Sequence, residues 1–247
     1  MGTGMTHKKN ETLAVGWCDN GSTDGRFTEG LMLTTLGGLL PDGVTIHTAM
    51  RVAGNQIGRQ RQILFDMWAD EEPFQTDWLL WIDSDIFITQ EELKKVWDAA
   101  DAKERPVVTG TYFVSKDGEQ PLMTPMPALF LEGRSDEELA WVHPLPVNAL
   151  VKVHAAGFGF MLMHRSIIEP IRKAAGKDAL FYEKQEVGKQ FIGEDIVFCK
   201  KLAKAEIPLY AHTGALVQHI KRYPIDEHYY SMFWYAMESK GIQHESR

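Results

Sequence analysis

Cysteine is scarce in this sequence: Cys18 and Cys199 stand far apart and there are no others. Two distant thiols exclude a disulfide framework, give no zinc-type spacing and suit a reducing cytoplasm. Basic residues are outnumbered as well. Against 34 Asp and Glu there are 26 Lys and Arg, a formal charge of −8. A surface of that sign gains nothing from phosphate backbones, so no nucleic-acid binding is expected from charge. No apolar run reaches the length of a membrane span, and the opening MGTGMTHKKNE lacks an apolar signal core. Residues 1–11 are expected to form a disordered leader without a membrane anchor. Internal repeats are absent too. What is there is 247 residues of 44% hydrophobic composition, enough for one substantial domain.

The most informative stretch is 78–88, WLLWIDSDIFI. Five apolar residues run into Asp83, Ser84 and Asp85, and apolar residues follow. A short run rich in aromatic and branched side chains reads as a strand buried on both faces. Carboxylates beside a core are costly unless something pairs with them. Residues two apart in a strand share a side, so Asp83 and Asp85 are expected to converge on one target, a divalent cation. Asp-Ser-Asp is equally good turn chemistry facing water.

The flanking chain alternates. Residues 12–18 read as a strand, 27–40 as a helix, 44–50 as a strand and 55–69 as a helix carrying Arg59 and Arg61. Thr89 and Glu92 form a capping box that starts a helix to about residue 102, and 105–113 reads as a strand. This β-α-β-α-β-α-β order predicts an α/β fold with a mostly parallel central sheet and helices on both faces. Ligands collect at the carboxyl ends of such strands, where Asp83 and Asp85 lie. The proline-rich stretch 115–150 reads as hairpins and loops, a smaller antiparallel part. Residues 152–164, KVHAAGFGFMLMH, read as a strand whose Gly157 and Gly159 permit close approach of backbone or ligand. Helices are expected at 166–175 and 195–205, and a last strand over 208–217 leads to His219. The aromatic tail from Lys221 reads as a docked helix or a movable lid.

Three segments together, WLLWIDSDIFI, AAGFGFMLMHR and FIGEDIVFCKKLAKAEIPLYAHTGALVQHI, resemble the nucleotide-sugar-dependent glycosyltransferases of the glycosyltransferase-A fold, close to family 2. The resemblance spans about residues 12–220. It implies a nucleotide-binding half at 12–113, an acceptor-binding half at 114–220 and a tail or lid at 221–247. Where that family's turn has glycine, this chain has Ala205-Glu206-Ile207-Pro208. The implied reaction moves a sugar from a nucleoside-diphosphate sugar, a UDP-sugar favoured, to an acceptor hydroxyl, with Mn²⁺ or Mg²⁺ as cofactor. The implied metal ligands are Asp83, Asp85 and His219. Asp195, beside Glu194, resembles the base. Trp17, Asp19, Arg61, Asp83, Ser84, Gly157 and Lys221 would meet the nucleotide sugar. Arg59 is an alternative to Arg61, because GRQRQ permits two registers. DNGSTDG at 19–25 looks like the family 2 D-G-S-x-D segment, but follows the first strand rather than the second.

The acceptor stays open among a glycan, a protein and a modified base, as do the stereochemical outcome and the oligomeric state. A bacterial or phage-infected host cytoplasm is the expected setting. Two other readings stand beside this one. A haloacid-dehalogenase-like phosphatase would use Asp83 as nucleophile, and a non-catalytic module would bind nucleotide sugars without turnover.

Overall fold

The computed structural model describes residues 11–36, 44–115, 125–133, 139–176, 179–182, 192–222 and 226–240. Expectations for the leader, for the end of the first helix beyond residue 36 and for parts of 115–150 fall outside those residues.

Apolar runs in the first half set the frame. Strand β1 (Thr12–Asp19) leads into helix α1 (Gly25–Leu36), then β2 (Thr45–Ala53), α2 (Ile57–Asp70) and β3 (Trp78–Ile82). After β3 come the two-residue β4 (Ile86–Phe87), α3 (Gln90–Ala99) and β5 (Val107–Thr111). The chain continues through β6 (Phe113–Ser115), β7 (Pro125–Pro127), β8 (Leu129–Glu132), β9 (Leu139–Trp141), β10 (Leu150–Val153), β11 (Ala155–Ala156) and β12 (Phe160–His164). Helices α4 (Ile168–Ala175) and α5 (Glu194–Lys204), strands β13 (Leu209–Leu216) and β14 (Gln218–His219), and α6 (Glu227–Glu238) complete the order.

Seven strands form the central sheet in the order β10-β13-β5-β12-β3-β1-β2. The pairs β1–β2, β1–β3 and β5–β13 are parallel, whereas β12 runs antiparallel to both β3 and β5, and β10 antiparallel to β13. The expected mostly parallel α/β sheet is therefore present, with β12 inserted as a reversed strand. Small antiparallel pairs and a triplet, β6–β7, β4–β14 and β11-β8-β9, complete the architecture.

The pleat of β3 shows why both faces are covered. Trp78, Leu80 and Ile82 enter one core with Phe27 of α1 and Leu93, Val96 and Trp97 of α3. Leu79 and Trp81 enter the other, with Leu64, Phe65 and Trp68 of α2, Ile171 of α4 and Phe198 of α5. Burying a side chain such as Leu79, fully hidden, is worth about 1.5–3 kcal/mol. The Thr89 capping box forms as expected: the Thr89 hydroxyl accepts from Glu91 N–H and Glu92 accepts from Thr89 N–H.

Several boundaries move, each for a local reason. The strand expected over 78–88 stops at Ile82. Ile86 N–H then donates to the Asp83 carbonyl (3.0 Å) and closes a turn, so strand alternation does not govern Asp83 and Asp85. The stretch 152–164 divides among β10, β11 and β12, first at His154 and then at its glycines, and 105–113 divides into β5 and β6 at Tyr112. His219 does not extend β13. It pairs with Ile86 of β4, antiparallel. The tail contains α6, capped by Asp226, whose carboxylate accepts from Tyr229 N–H.

Candidate active site

Carboxylates gather at the carboxyl ends of β1 and β3 and at the start of α5. At the end of β1, the Asp19 carboxylate takes Nε and Nη2 of Arg51 (2.5 and 2.8 Å), Gly21 N–H (2.8 Å) and the Trp17 indole N–H (3.2 Å). A carboxylate has about four acceptor sites, and these four donors occupy them. The hydrogen bonds from Arg51 lead in holding the Asp19 carboxyl below its ordinary range. Asp19 and Trp17, expected to face the nucleotide, thus bind each other, and Arg51 ties the ends of β1 and β2 together. Arg51 lies 32 residues from Asp19, and no sequence motif pairs them.

Arg61 is the centre of a buried group. It sits on α2 and is 4% exposed. Its Nη2 contacts both oxygens of Asp83 (3.1 Å each) and its Nη1 lies 3.0 Å from Glu194 Oε1. The guanidinium stacks 4.8 Å above the Phe158 ring. Arg59 is exposed, so of the two registers Arg61 is the one turned toward the Asp83 turn. Asp195, the next residue on α5, is largely hidden and accepts from Ile196 N–H at 2.7 Å. Burial raises its carboxyl above the ordinary range; Arg61 opposes that and Glu194 adds to it. A carboxyl so raised holds and releases protons nearer neutrality.

Asp85 faces the other way. Its Oδ2 receives the Lys221 ammonium at 2.7 Å and lies 3.3 Å from His219 Nε2. Burial would raise this carboxyl, but the bonds from His219 and Lys221 outweigh it and bring it to about 2. The Asp85 carbonyl accepts from Ile220 N–H at 2.7 Å, which closes the β4–β14 join. Asp83 and Asp85 therefore contact different partners. Between them, the Ser84 carbonyl accepts from Asp24 N–H at 3.0 Å, which lays the 19–25 loop against the acidic turn. On the far side of the ring, His219 Nδ1 lies 3.0 Å from the Phe113 carbonyl. The ring thus lies between two acceptors, the Phe113 carbonyl at Nδ1 and the Asp85 carboxylate at Nε2.

Tyr112 joins the two groups and has no motif of its own. It is 7% exposed, accepts from Gly159 N–H at 3.3 Å, and its ring meets His219 with centroids 5.2 Å apart at 82°. A Cβ at Gly157 would lie 2.0 Å from the Tyr112 hydroxyl, and one at Gly159 2.7 Å from its ring. The two glycines thus make a floor for the phenol, and Gly157 touches Tyr112 where a nucleotide sugar was expected. Gly157→Ala should destabilise the fold by about 1–3 kcal/mol through overpacking. Adding Tyr112→Phe should recover part of that in urea melts, because the closest atom is removed. A Gly157→Ala variant as stable as the native protein would show that the floor can yield.

Cys18 and Cys199 are both free and buried, and burial pushes each thiol up to about 12. Neither is a ready nucleophile. Among the described residues no group of three or more His, Cys, Asp or Glu side chains is arranged to hold a metal ion. No described helix is long and apolar enough to cross a membrane.

No protein-family model matches this sequence, and no curated protein matches it. Solved structures do resemble the chain. The protein A197 from STIV is 18% identical, with 86% of each chain covered and a TM-score of 0.45. GalNAc-T7 with UDP, GalNAc and Mn²⁺ is 12% identical at a TM-score of 0.48, covering 87% of this chain and 45% of that one. This chain therefore spans under half of the GalNAc-T7 structure. CMP:2-keto-3-deoxy-manno-octonic acid synthetase complexed with CTP is 11% identical at a TM-score of 0.45, covering 93% and 99%. The strand order and directions, rather than these likenesses, carry the architecture.

Proposed function

We propose that this chain is a metal-dependent glycosyltransferase, moving a sugar from a nucleoside-diphosphate sugar, UDP-linked by preference, to an acceptor hydroxyl. The observation that carries the reading is the pairing of Asp85 with His219. His219 Nε2 stands 3.3 Å from a carboxylate oxygen of Asp85, with Nδ1 3.0 Å from the Phe113 carbonyl. Adjacent ligands of an ion bound at about 2.1 Å stand about 3 Å apart, so this oxygen–nitrogen pair fits Mn²⁺ or Mg²⁺, the nitrogen favouring Mn²⁺. The carbonyl behind Nδ1 is the outer partner that metal-bound histidines commonly have.

The surrounding charge supports the same reading. Four carboxyls, Asp83, Asp85, Glu194 and Asp195, face two cations, Arg61 and Lys221. When bound, a divalent ion would neutralise the charge that develops on a departing diphosphate. Lys221, 53% exposed, can leave Asp85 for a phosphate oxygen. Arg61 fixes Asp83 and Glu194, and so the position of Asp195, which serves as the base for the acceptor hydroxyl. The two halves of the expected domain meet here, since His219 and Asp195 lie in one and Asp83 and Asp85 in the other. The phosphatase reading needs Asp83 free to attack, whereas both of its oxygens contact Arg61.

A thermal-shift panel of nucleotide sugars with and without Mn²⁺ tests the proposal. Stabilisation is expected only when both are present, reaching about 2.7 kcal/mol at a hundredfold excess over Kd. No shift with any nucleotide sugar would overturn it. Binding without transfer or hydrolysis would favour a non-catalytic module, and phosphate release from a simple phosphoester a phosphatase. Asp195→Asn should keep donor binding by calorimetry while transfer falls on the order of 10²–10⁴-fold. Unchanged transfer would remove Asp195 as base.

A further inference from the structure

We propose that Tyr182 and Arg59 form the acceptor subsite, and that the acceptor is a glycan whose sugar ring packs on the Tyr182 side chain. That the bound sugar is an acceptor rests on the glycosyltransferase reading; that a sugar binds here does not. Tyr182 is 44% exposed, an open aromatic ring directly after the buried Leu180 and Phe181. It borders the candidate base. A Cβ at Gly58 would lie 3.5 Å from Tyr182 Cε1 and 3.4 Å from Glu194 Cβ. The edge of the ring and the residue before Asp195 therefore flank the same glycine. Arg59, the next residue on α2, is exposed, and its charge reaches the Tyr182 phenol. Arg61 is committed to Asp83 and Glu194, whereas among the described residues no ion pair includes Arg59.

The backbone that presents the ring is held from three sides. Leu180 N–H donates to Gln62 Oε1 of α2 at 2.9 Å. The Phe181 ring stacks on Phe198 of α5, with centroids 4.8 Å apart at 15°. The Lys201 ammonium donates to the carbonyls of Ala179 and Tyr182. A ring held open at such a place is preorganised for a ligand. The chemistry of the surroundings selects that ligand. A pyranose has a face of C–H bonds, which suits the negative face of an aromatic ring. Its hydroxyl oxygens accept from a guanidinium. It carries no charge, so Asp83, Glu194 and Asp195 do not repel it. A nucleobase also stacks on tyrosine, but its phosphates would meet those carboxyls and a chain of net charge −8. Peptides are commonly bound along a strand edge, and the described neighbours of Tyr182 lie on α2 and α5.

The test exposes the full chain, with and without UDP and Mn²⁺, to an array of neutral and acidic oligosaccharides, beside single-stranded oligonucleotides and peptides. Affinity for the best-bound oligosaccharide is then measured by calorimetry. The native protein should bind oligosaccharides and neither of the other two classes. Tyr182→Ala should weaken that binding about tenfold or more, Arg59→Gln should weaken it by a smaller factor, and Tyr182→Phe, which keeps the ring, should match the native protein. Where Tyr182→Ala does not fold, Tyr182→Leu removes the aromatic ring and keeps an apolar side chain. No oligosaccharide bound, or oligonucleotides or peptides bound in their place, overturns the proposal. So does native affinity in a non-aromatic variant or in Arg59→Gln. The transferase reading fails separately. Oligosaccharide binding that depends on Tyr182, in a protein that no nucleotide sugar stabilises, would keep the sugar subsite and remove its role as acceptor site. Stabilisation by a nucleotide sugar without oligosaccharide binding would remove the subsite alone.

Discussion

Arg61→Leu is expected to destabilise the folded chain by about 3–5 kcal/mol, the range for removing one partner of a buried charge pair. The guanidinium is 5% exposed and touches Asp83 and Glu194, with Asp195 within electrostatic reach. Leucine fills much of the volume but leaves three carboxyls facing one another. The pH dependence gives the mechanism away. Burial already raises the Asp195 carboxyl, and Arg61 is what opposes that. Without Arg61 the folded form holds that proton more tightly than the unfolded form does. Stability of the variant should therefore rise as pH falls through the raised range, and level off once both forms are protonated. Urea melts at several pH values check this. A deficit that stays constant with pH would mean that lost packing on Phe158, rather than lost charge, is responsible. Glu194→Gln in the same background should restore part of the stability, since it removes one of the orphaned charges.

Asp85→Ala carries the second large effect. Metal-dependent donor turnover should fall by a hundredfold or more, roughly the several kcal/mol that an ion contributes to stabilising a developing diphosphate. The fold should survive, because Asp85 is a turn residue at the site's rim and its carbonyl, which accepts from Ile220 N–H, is retained. Thermal melts without ligand, beside Mn²⁺-dependent hydrolysis of the donor, separate the two consequences. Full metal-dependent activity in the variant would sink the assignment of Asp85. The native carboxyl, held at about 2, sits below its unfolded value. Its stabilising contribution is present above the unfolded value and is lost as pH falls through about 2. The Asp85→Ala variant should lack that acid-range loss.

Periodicity made the sheet legible. The run WLLWI has to be buried on both sides, and the alternation of strands and helices orders β1, β2, β3 and β5 around it. The reversed β12 was not legible, since its apolar residues read alike in either direction and only tertiary packing chooses. At the site, the acidic turn, the acids opening α5 and His219 are visible as residue types. Their partners are not. Arg51 reaches Asp19 and Tyr112 reaches Gly159 across 32 and 47 residues, and neither contact leaves a local pattern. Strand alternation also misled at Asp83 and Asp85, because a turn hydrogen bond replaced the strand between them and sent the two carboxylates to different neighbours.

The two-residue ladder between β4 and β14 has a consequence for the order in which the molecule is made. Asp85 and Lys221 are 136 residues apart, so the chain emerging from a ribosome presents the acidic turn long before its Lys221 partner exists. Closing a loop of that length is slow compared with pairing neighbouring strands. The central sheet needs nothing beyond β13. A chain ending at Leu216 can therefore reach a near-native shape while Asp85 still lacks the partners that His219 and Lys221 bring to it.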